Sequence, residues 1–277
     1  MRQRGGRWLA AACLAATIAP RADAQVERVR LELRPHAGDT LVMRLDQVTE
    51  VNAPRRGNTP LQVVTTLRMF SRAIVESTVP ASSMILAITD SVVMETTDEH
   101  ASAMAEQTRR QLEGRKMRMQ VWRDGTVTLA GGPTEVPSDV AEMVSVMPAS
   151  FPREAIAVGD TWERVMPFPQ GTQLAVPLGA MVRARFRLDS LGQDGDLAYL
   201  SMEGAFEMGD ARKPRDDDPI AGTVSGAMIV NRRRGWLSES RFLVQMRATL
   251  PAVDARAPMR FRMKITQHMR TSEPKRP

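Results

Sequence analysis

One cysteine, Cys13, and three scattered histidines are all the thiol and imidazole that this 277-residue chain contains. A single thiol excludes an intramolecular disulfide and any multi-cysteine metal site. His36, His100 and His268 are far apart in sequence, and none stands in a His-x-x-x-His or Glu-x-x-His pair. A zinc site would therefore have to be gathered wholly by the fold. No Gly-x-Ser-x-Gly elbow and no phosphate-cradling glycine motif occurs, so the common sequence signatures of hydrolases and nucleotide enzymes are missing. Aromatic residues make up 4% of the chain against 19 methionines, which predicts an aliphatic core filled out by flexible thioethers. No run past the first twenty residues approaches the roughly 20 apolar residues of a membrane-spanning helix.

What is present begins with an address. Arg2, Arg4 and Arg7 form a basic start, Trp8 to Ile18 an apolar stretch, and Ala22-Asp23-Ala24 a small-x-small cleavage site. Residues 1–24 read as a signal peptide, and the exported chain is expected to start at Gln25, in the periplasm or outside the cell. Leu9 to Cys13 loosely matches a lipoprotein acylation site, but too few apolar residues separate it from Arg7, so lipid anchoring at Cys13 is not expected. Losing this segment removes four arginines and Asp23, about half of the formal charge of +6. The high pI is thus largely a targeting signal, and nucleic acid is not an expected partner.

Gly38-Asp39-Thr40 recurs as Gly159-Asp160-Thr161, which leads into Trp162. Each copy precedes strand-like runs, dividing the chain into β-rich halves over residues 25–150 and 151–270, with a disordered tail at 271–277. Val29, Leu31 and Leu33 alternate with charged residues and read as a first strand; Leu41, Met43 and Leu45 continue the pattern. A helix is expected near 97–113, capped by Thr96 and ended by Gly114, and a second near 138–147, capped by Ser138 and stopped by Pro148. Asp124-Gly125 and Asp194-Gly195 mark tight turns between alternating runs. In the second half Val182, Phe186, Phe206, Phe242, Phe261, Met263 and Ile265 take the inward positions. The expected fold is mainly β (α+β): a curved antiparallel sheet or half-barrel with two short helices, in two similar halves.

Several clusters have simpler structural readings. Asp216-Asp217-Asp218 lacks the alternation of a calcium loop and reads as a solvated turn, as do Arg232-Arg233-Arg234. Met117 with Met119, or Met259 to Met263 with His268-Met269, suit Cu(I) by chemistry, but alternation places Met119 and Met263 inward, where packing accounts for them. No cofactor is expected. The outward positions Arg183, Arg185, Arg187, Arg241, Arg247, Arg260, Arg262 and Lys264 make a basic face, for which Glu203, Glu207 and Glu239 offer few counter-charges. An acidic envelope component is its expected partner.

With its signal peptide, the Gly-Asp-Thr-Trp seam, the hairpin from Gly114 to Val127 and the Phe151-Pro152 approach to Gly159-Asp160, the chain resembles uncharacterised β-rich exported proteins of bacteria grouped as domains of unknown function. More distantly, its layout is similar to the periplasmic lipoprotein-carrier architecture, which implies an apolar concave face. No functional residue of those carriers maps to a position here. The expected function is non-enzymatic binding of a lipid or other apolar ligand, with Phe186, Phe206, Phe242, Phe261 and Met263 lining the apolar side and Arg183, Arg185, Arg187, Arg260 and Arg262 meeting anionic surroundings. The alternatives are a protein-interaction or assembly module with a solid core, and a hydrolase whose site is gathered from dispersed acids and histidines. Intact-mass measurement of the exported protein should give a chain starting at Gln25; a start at an acylated Cys13 would overturn the address.

Overall fold

The computed structural model describes residues 27–54, 61–130, 150–167, 180–208, 220–250 and 259–274. The period-two runs become eleven strands: β1 (Thr40–Ala53), β2 (Leu61–Thr78), β3 (Ser82–Thr96), β4 (Lys116–Trp122), β5 (Val127–Leu129), β6 (Thr161–Pro167), β7 (Ala180–Gly192), β8 (Leu197–Met208), β9 (Ile220–Asn231), β10 (Trp236–Leu250) and β11 (Met259–Ser272). Between β3 and β4 lies α1 (Glu99–Leu112), the one helix among the described residues. The expected second helix, 138–147, falls outside them. Helix α1 starts two residues later than expected. Its cap is Asp98, which accepts from the His100 amide at 3.0 Å, while the Thr96 hydroxyl accepts from the Asp98 amide. An Asp side chain at this position satisfies an otherwise orphaned helix donor, which is the work that had been expected of Thr96.

All eleven strands form one antiparallel sheet in the order β5-β4-β3-β2-β1-β11-β10-β9-β8-β7-β6. Each half is a meander, and the first strand of one half pairs with the last strand of the other, from Val42 opposite Ser272 to Asn52 opposite Arg262. The sheet curls but does not close, since β5 and β6 are its two edges. At one end Phe151 bridges them: its amide donates to the Asp124 carbonyl beyond β4, its carbonyl accepts from Arg164 of β6, and the neighbouring Ser150 carbonyl accepts from the Trp162 indole at 2.8 Å.

The repeated tripeptide is a repeated turn. Gly38 and Gly159 both have φ near +90°, a conformation that glycine adopts without strain. Asp39 Oδ2 accepts from the His36 amide and Asp160 Oδ2 from the Ala157 amide, at 3.0 and 2.9 Å. In each turn the glycine amide then donates to the neighbouring strand, to Val75 in β2 or Leu188 in β7, which donates back to the aspartate carbonyl. One local device therefore launches both halves.

The alternation at Val29, Leu31 and Leu33 does not make a strand of the sheet. This segment crosses the bridged end, pairing only at Val29 with Ile156, then bonding to the Arg123 carbonyl through Leu33 and to Gly235 through Arg34. Val29 and Leu31 are buried all the same. Burial of alternate side chains needs an extended backbone against an apolar wall, and here turns rather than a strand supply the hydrogen bonds.

The main core fills the curl of β7 to β11 around Val29 and Leu31, and a smaller one, Leu41, Ala73, Ile85 and Val121, lies at the same end of β1 to β4. Large and small side chains alternate across the curl. Trp162 stacks on Phe186 with centroids 5.6 Å apart, and the Phe242 ring covers Gly226. At Gly222 the strands approach so closely that an added Cβ would collide with the Gln245 carbonyl and sit 2.7 Å from the Met246 Cα. Glycine in a strand interior marks such an approach. Gly222→Ala should cost about 1–3 kcal/mol, as overpacking does, and chemical denaturation should show it; an unchanged midpoint would mean that β9 and β10 are not this close.

Candidate functional site

The side of the sheet that carries both cores is one continuous inward face. Across β1 to β5, β10 and β11 its positions carry no charged residue, as the pairing register shows. One row runs Val92, Met69, Leu45, Met269; the next runs Met94, Leu67, Gln47, Gln267, Phe242; a third runs Val63, Val51, Met263, Met246. Beyond the small core, Leu45, Val51, Val63, Leu67, Met69, Met94, Met117 and Met119 are half-buried, with neither the burial of a packed core nor the polarity of a wetted surface. Gln47, Thr49, Thr65 and Gln267 give this wall a band of neutral hydrogen-bonding groups, and Gln47 donates to Thr49 at 3.3 Å. Helix α1 packs against β3, whose Ser82–Ile88 portion pairs with β4.

The five residues expected to line the apolar side do face the same way. Phe186, Phe206, Phe261 and Met263 are buried in the main core, and Phe242 is half-buried against it. Phe242 borders the half-buried wall, in the same row as Leu67 and Gln47. The accessible apolar positions of the first half went unselected in the sequence. Their alternation was legible, but which inward residues another wall covers depends on how tightly each half curls.

The opposite, convex face holds ladders of ion pairs. Asp46 receives Arg44 at 2.7 Å and Arg68 at 3.0 Å, Arg72 clasps Asp90 at 2.7 Å, and Arg118 reaches Glu76 at 3.1 Å. In the second half Arg183 pairs with Glu207 and Glu163, Arg185 with Glu163, Arg187 with Asp189, and Arg241 with Glu239. Lys264 meets Glu50 of the first half at 3.0 Å. Glu163, Asp189 and Glu50 thus join the few expected counter-charges, from β6, from β7 itself and from β1. Arg260 and Arg262 have no ion pair among the described residues. Arg260 lies opposite Thr249 of β10, and Arg262 enters a cleft of about 580 Å³ with Arg247, Lys264, Gln245, Thr223 and Asn52. A second cleft, about 570 Å³, lies where Phe151 bridges the edges, beside Arg153, Glu154, Thr161, Trp162 and Arg164.

The histidines stay apart, His36 in the first turn, His100 at the start of α1 and His268 on β11, where its Nε2 lies 2.8 Å from Glu239. Among the described residues no group of three or more His, Cys, Asp or Glu is placed to hold a metal ion. Hydrogen bonds from His268 and then Arg241 hold the Glu239 carboxyl below its ordinary range. On α1, Arg109 and Arg110 bring the Glu106 carboxyl down to about 2.

An apolar inside and an ion-paired outside reverse the polarity of a membrane-spanning barrel, whose lipid-facing exterior is apolar. No described helix is long and apolar enough to cross a membrane.

No protein-family model matches this chain, and no curated protein matches it significantly. Among solved structures, the chain is similar to lipovitellin, in a structure of its lipid–protein interactions, at TM-score 0.53 and 10% identity. The likeness covers 89% of this chain and 26% of that one, so this chain spans about a quarter of the lipovitellin chain. At that identity it is a likeness of fold. Two further matches are DynF from the dynemicin biosynthesis pathway of Micromonospora chersina, at TM-score 0.22, 9% identity and 95% and 92% coverage, and an outer-membrane channel from Pseudomonas putida F1, at 0.24, 8%, 90% and 100%. At such scores neither carries an argument.

Asp46 offers a test of the convex ladders. Arg44, followed by Arg68, holds its carboxyl below 3.8, so its contribution is present above the unfolded carboxylate pKa and is lost as pH falls through the lower, folded value. Asp46→Asn should lower stability at neutral pH by no more than about 1 kcal/mol, as an exposed pair does. The deficit against wild type should shrink below about pH 4; thermal melts at pH 7 and pH 3 with equal deficits would contradict the pairing.

Proposed function

We propose that this protein binds a lipid or another apolar ligand on the concave face of its sheet, without catalysing a reaction on it, and that it does so after export to the cell envelope. The observation that carries this reading is the half-buried, uncharged wall of β1 to β4, where Leu45, Leu67, Met69 and Met94 sit in adjoining rows. Among the described residues, the second half fills its own curl with large side chains while the wall of the first half stays uncovered, and apolar surface left in a concavity is where a ligand gains most from desolvation. Methionines suit the task because their flexible thioethers re-pack around acyl chains of different length. Gln47, Thr49, Thr65 and Gln267 offer a ligand carbonyl or hydroxyl a neutral partner.

Likeness of fold to lipovitellin, a protein described through its lipid–protein interactions, supports the same reading. The export signal in residues 1–24 and the remote similarity to lipoprotein carriers agree with a place in the envelope. On this proposal Phe186, Phe206, Phe261 and Met263 build the scaffold, and Phe242 lies where core and ligand wall meet.

Native mass spectrometry of protein purified without detergent from the exported fraction should show excess mass that denaturation releases as lipid. Leu45→Asp and Leu67→Asp should each weaken binding of a fluorescent fatty acid at least tenfold while leaving the far-ultraviolet circular dichroism of the sheet in place. A bare chain mass, before and after incubation with envelope lipids, would remove the proposal and leave a module that acts through its surface.

A further inference from the structure

The polar groups of the concave wall are gathered in one belt. Gln47 and Gln267 stand directly opposite each other on β1 and β11, and in the next row Thr49, Thr65 and Thr96 stand opposite one another across β1, β2 and β3. All five are half-buried. Apolar rows border the belt on both sides, with Met69, Leu45 and Met269 on one and Val63, Val51 and Met263 on the other. Rows on one face of a strand recur about every 7 Å, so hydrocarbon is within one step of the belt in either direction. Such a wall matches a molecule whose polar atoms lie between two hydrocarbon parts rather than at one end.

Charge narrows the class further. A carboxylate or phosphate laid on this wall would lose water and meet no cation at any inward position of β1 to β5, β10 or β11. Threonines opposite one another suit any sheet, and Thr65 donates to Thr96 at 3.4 Å. The glutamines have more to satisfy, because a primary amide brings two N–H donors and a carbonyl acceptor. Gln47 uses one donor on Thr49, at 3.3 Å. A polar group sheltered from water without a partner is costly, and a ligand carbonyl that supplies the partner removes that cost.

We propose, on the reading of this wall as a ligand site, that its ligand is an uncharged ester lipid such as an acylglycerol, held at its carbonyl by the amides of Gln47 and Gln267 with hydrocarbon on both sides of the belt. A fatty acid then binds through its chain alone and ranks below its ester.

The experiment uses the exported chain at pH 7 and three competitors with matched chains: dioctanoylglycerol, its dioctyl ether and dioctanoyl phosphatidic acid, each displacing a polarity-sensitive fluorescent probe. Dioctanoylglycerol should bind roughly tenfold more tightly than the phosphatidic acid, which brings a charge to the wall. It should bind about fivefold more tightly than the ether, which lacks the carbonyls that accept from the glutamines. Gln47→Leu and Gln267→Leu should each bring the ratio of ester to ether affinity close to one, a readout that a general loss of folding, which weakens both ligands, does not move. Equal affinity for the ester and either competitor, or a ratio kept in both glutamine variants, would overturn the assignment while leaving the wall a lipid site. Displacement by none of the three, with Leu45→Asp also without effect on the probe, would remove the wall as a site and the ester assignment with it.

Discussion

Pairing of β1 with β11 is the contact on which the architecture rests. Eleven residue pairs along these strands join two meanders that would otherwise each expose a long edge. With that seam made, the remaining edges among the described residues are β5, three residues long, and β6, seven residues long and tied through Arg164 and Trp162 to Ser150 and Phe151. The seam unites the first strand of the sheet with the last, so the sheet is incomplete until the carboxy-terminal strand is in place. Long loop closure of this kind slows folding more than it weakens the finished fold.

From the seam follows a division of labour between the halves. Strands β7 to β11 bend tightly because Gly204, Gly222 and Gly226 let neighbouring strands and rings come close, and Phe186, Phe206 and Phe261 then fill the space enclosed. Strands β1 to β4 have no interior glycine, and beyond the small core at one end their inward residues Leu45, Leu67, Met69 and Met94 stay half-buried. The same sheet thus serves as a packed body on one side and an apolar wall on the other. Ion-pair ladders on the convex face keep the outside wet, so the two faces differ in chemistry along their whole length.

The local devices were readable from the residues. The Gly-Asp-Thr repeat, the Asp124-Gly125 and Asp194-Gly195 turns, the helix before Gly114 and the inward parity of the phenylalanines all appear as the alternation and turn chemistry imply. Each depends on groups within a few positions of one another: an aspartate that reaches a nearby amide, a glycine that permits positive φ. Val29 to Leu33 shows the boundary of such reasoning. Its pattern reported burial correctly, but burial beside turns and pairing within a sheet write the same alternation.

By itself, then, the sequence determined an antiparallel β protein in two meanders with one apolar and one charged face, because side-chain period and turn stereochemistry are short-range properties. Tertiary structure alone decided that the meanders share one sheet, that Phe186, Phe206 and Phe261 are core while Leu45, Leu67 and Met69 remain half-buried, and that Glu163, Asp189 and Glu50 pair with the arginines of β7 and with Lys264. Those outcomes turn on register and curl, which bring together residues as remote as Glu50 and Lys264. No local pattern records a distance between strands that the chain itself must travel its whole length to set.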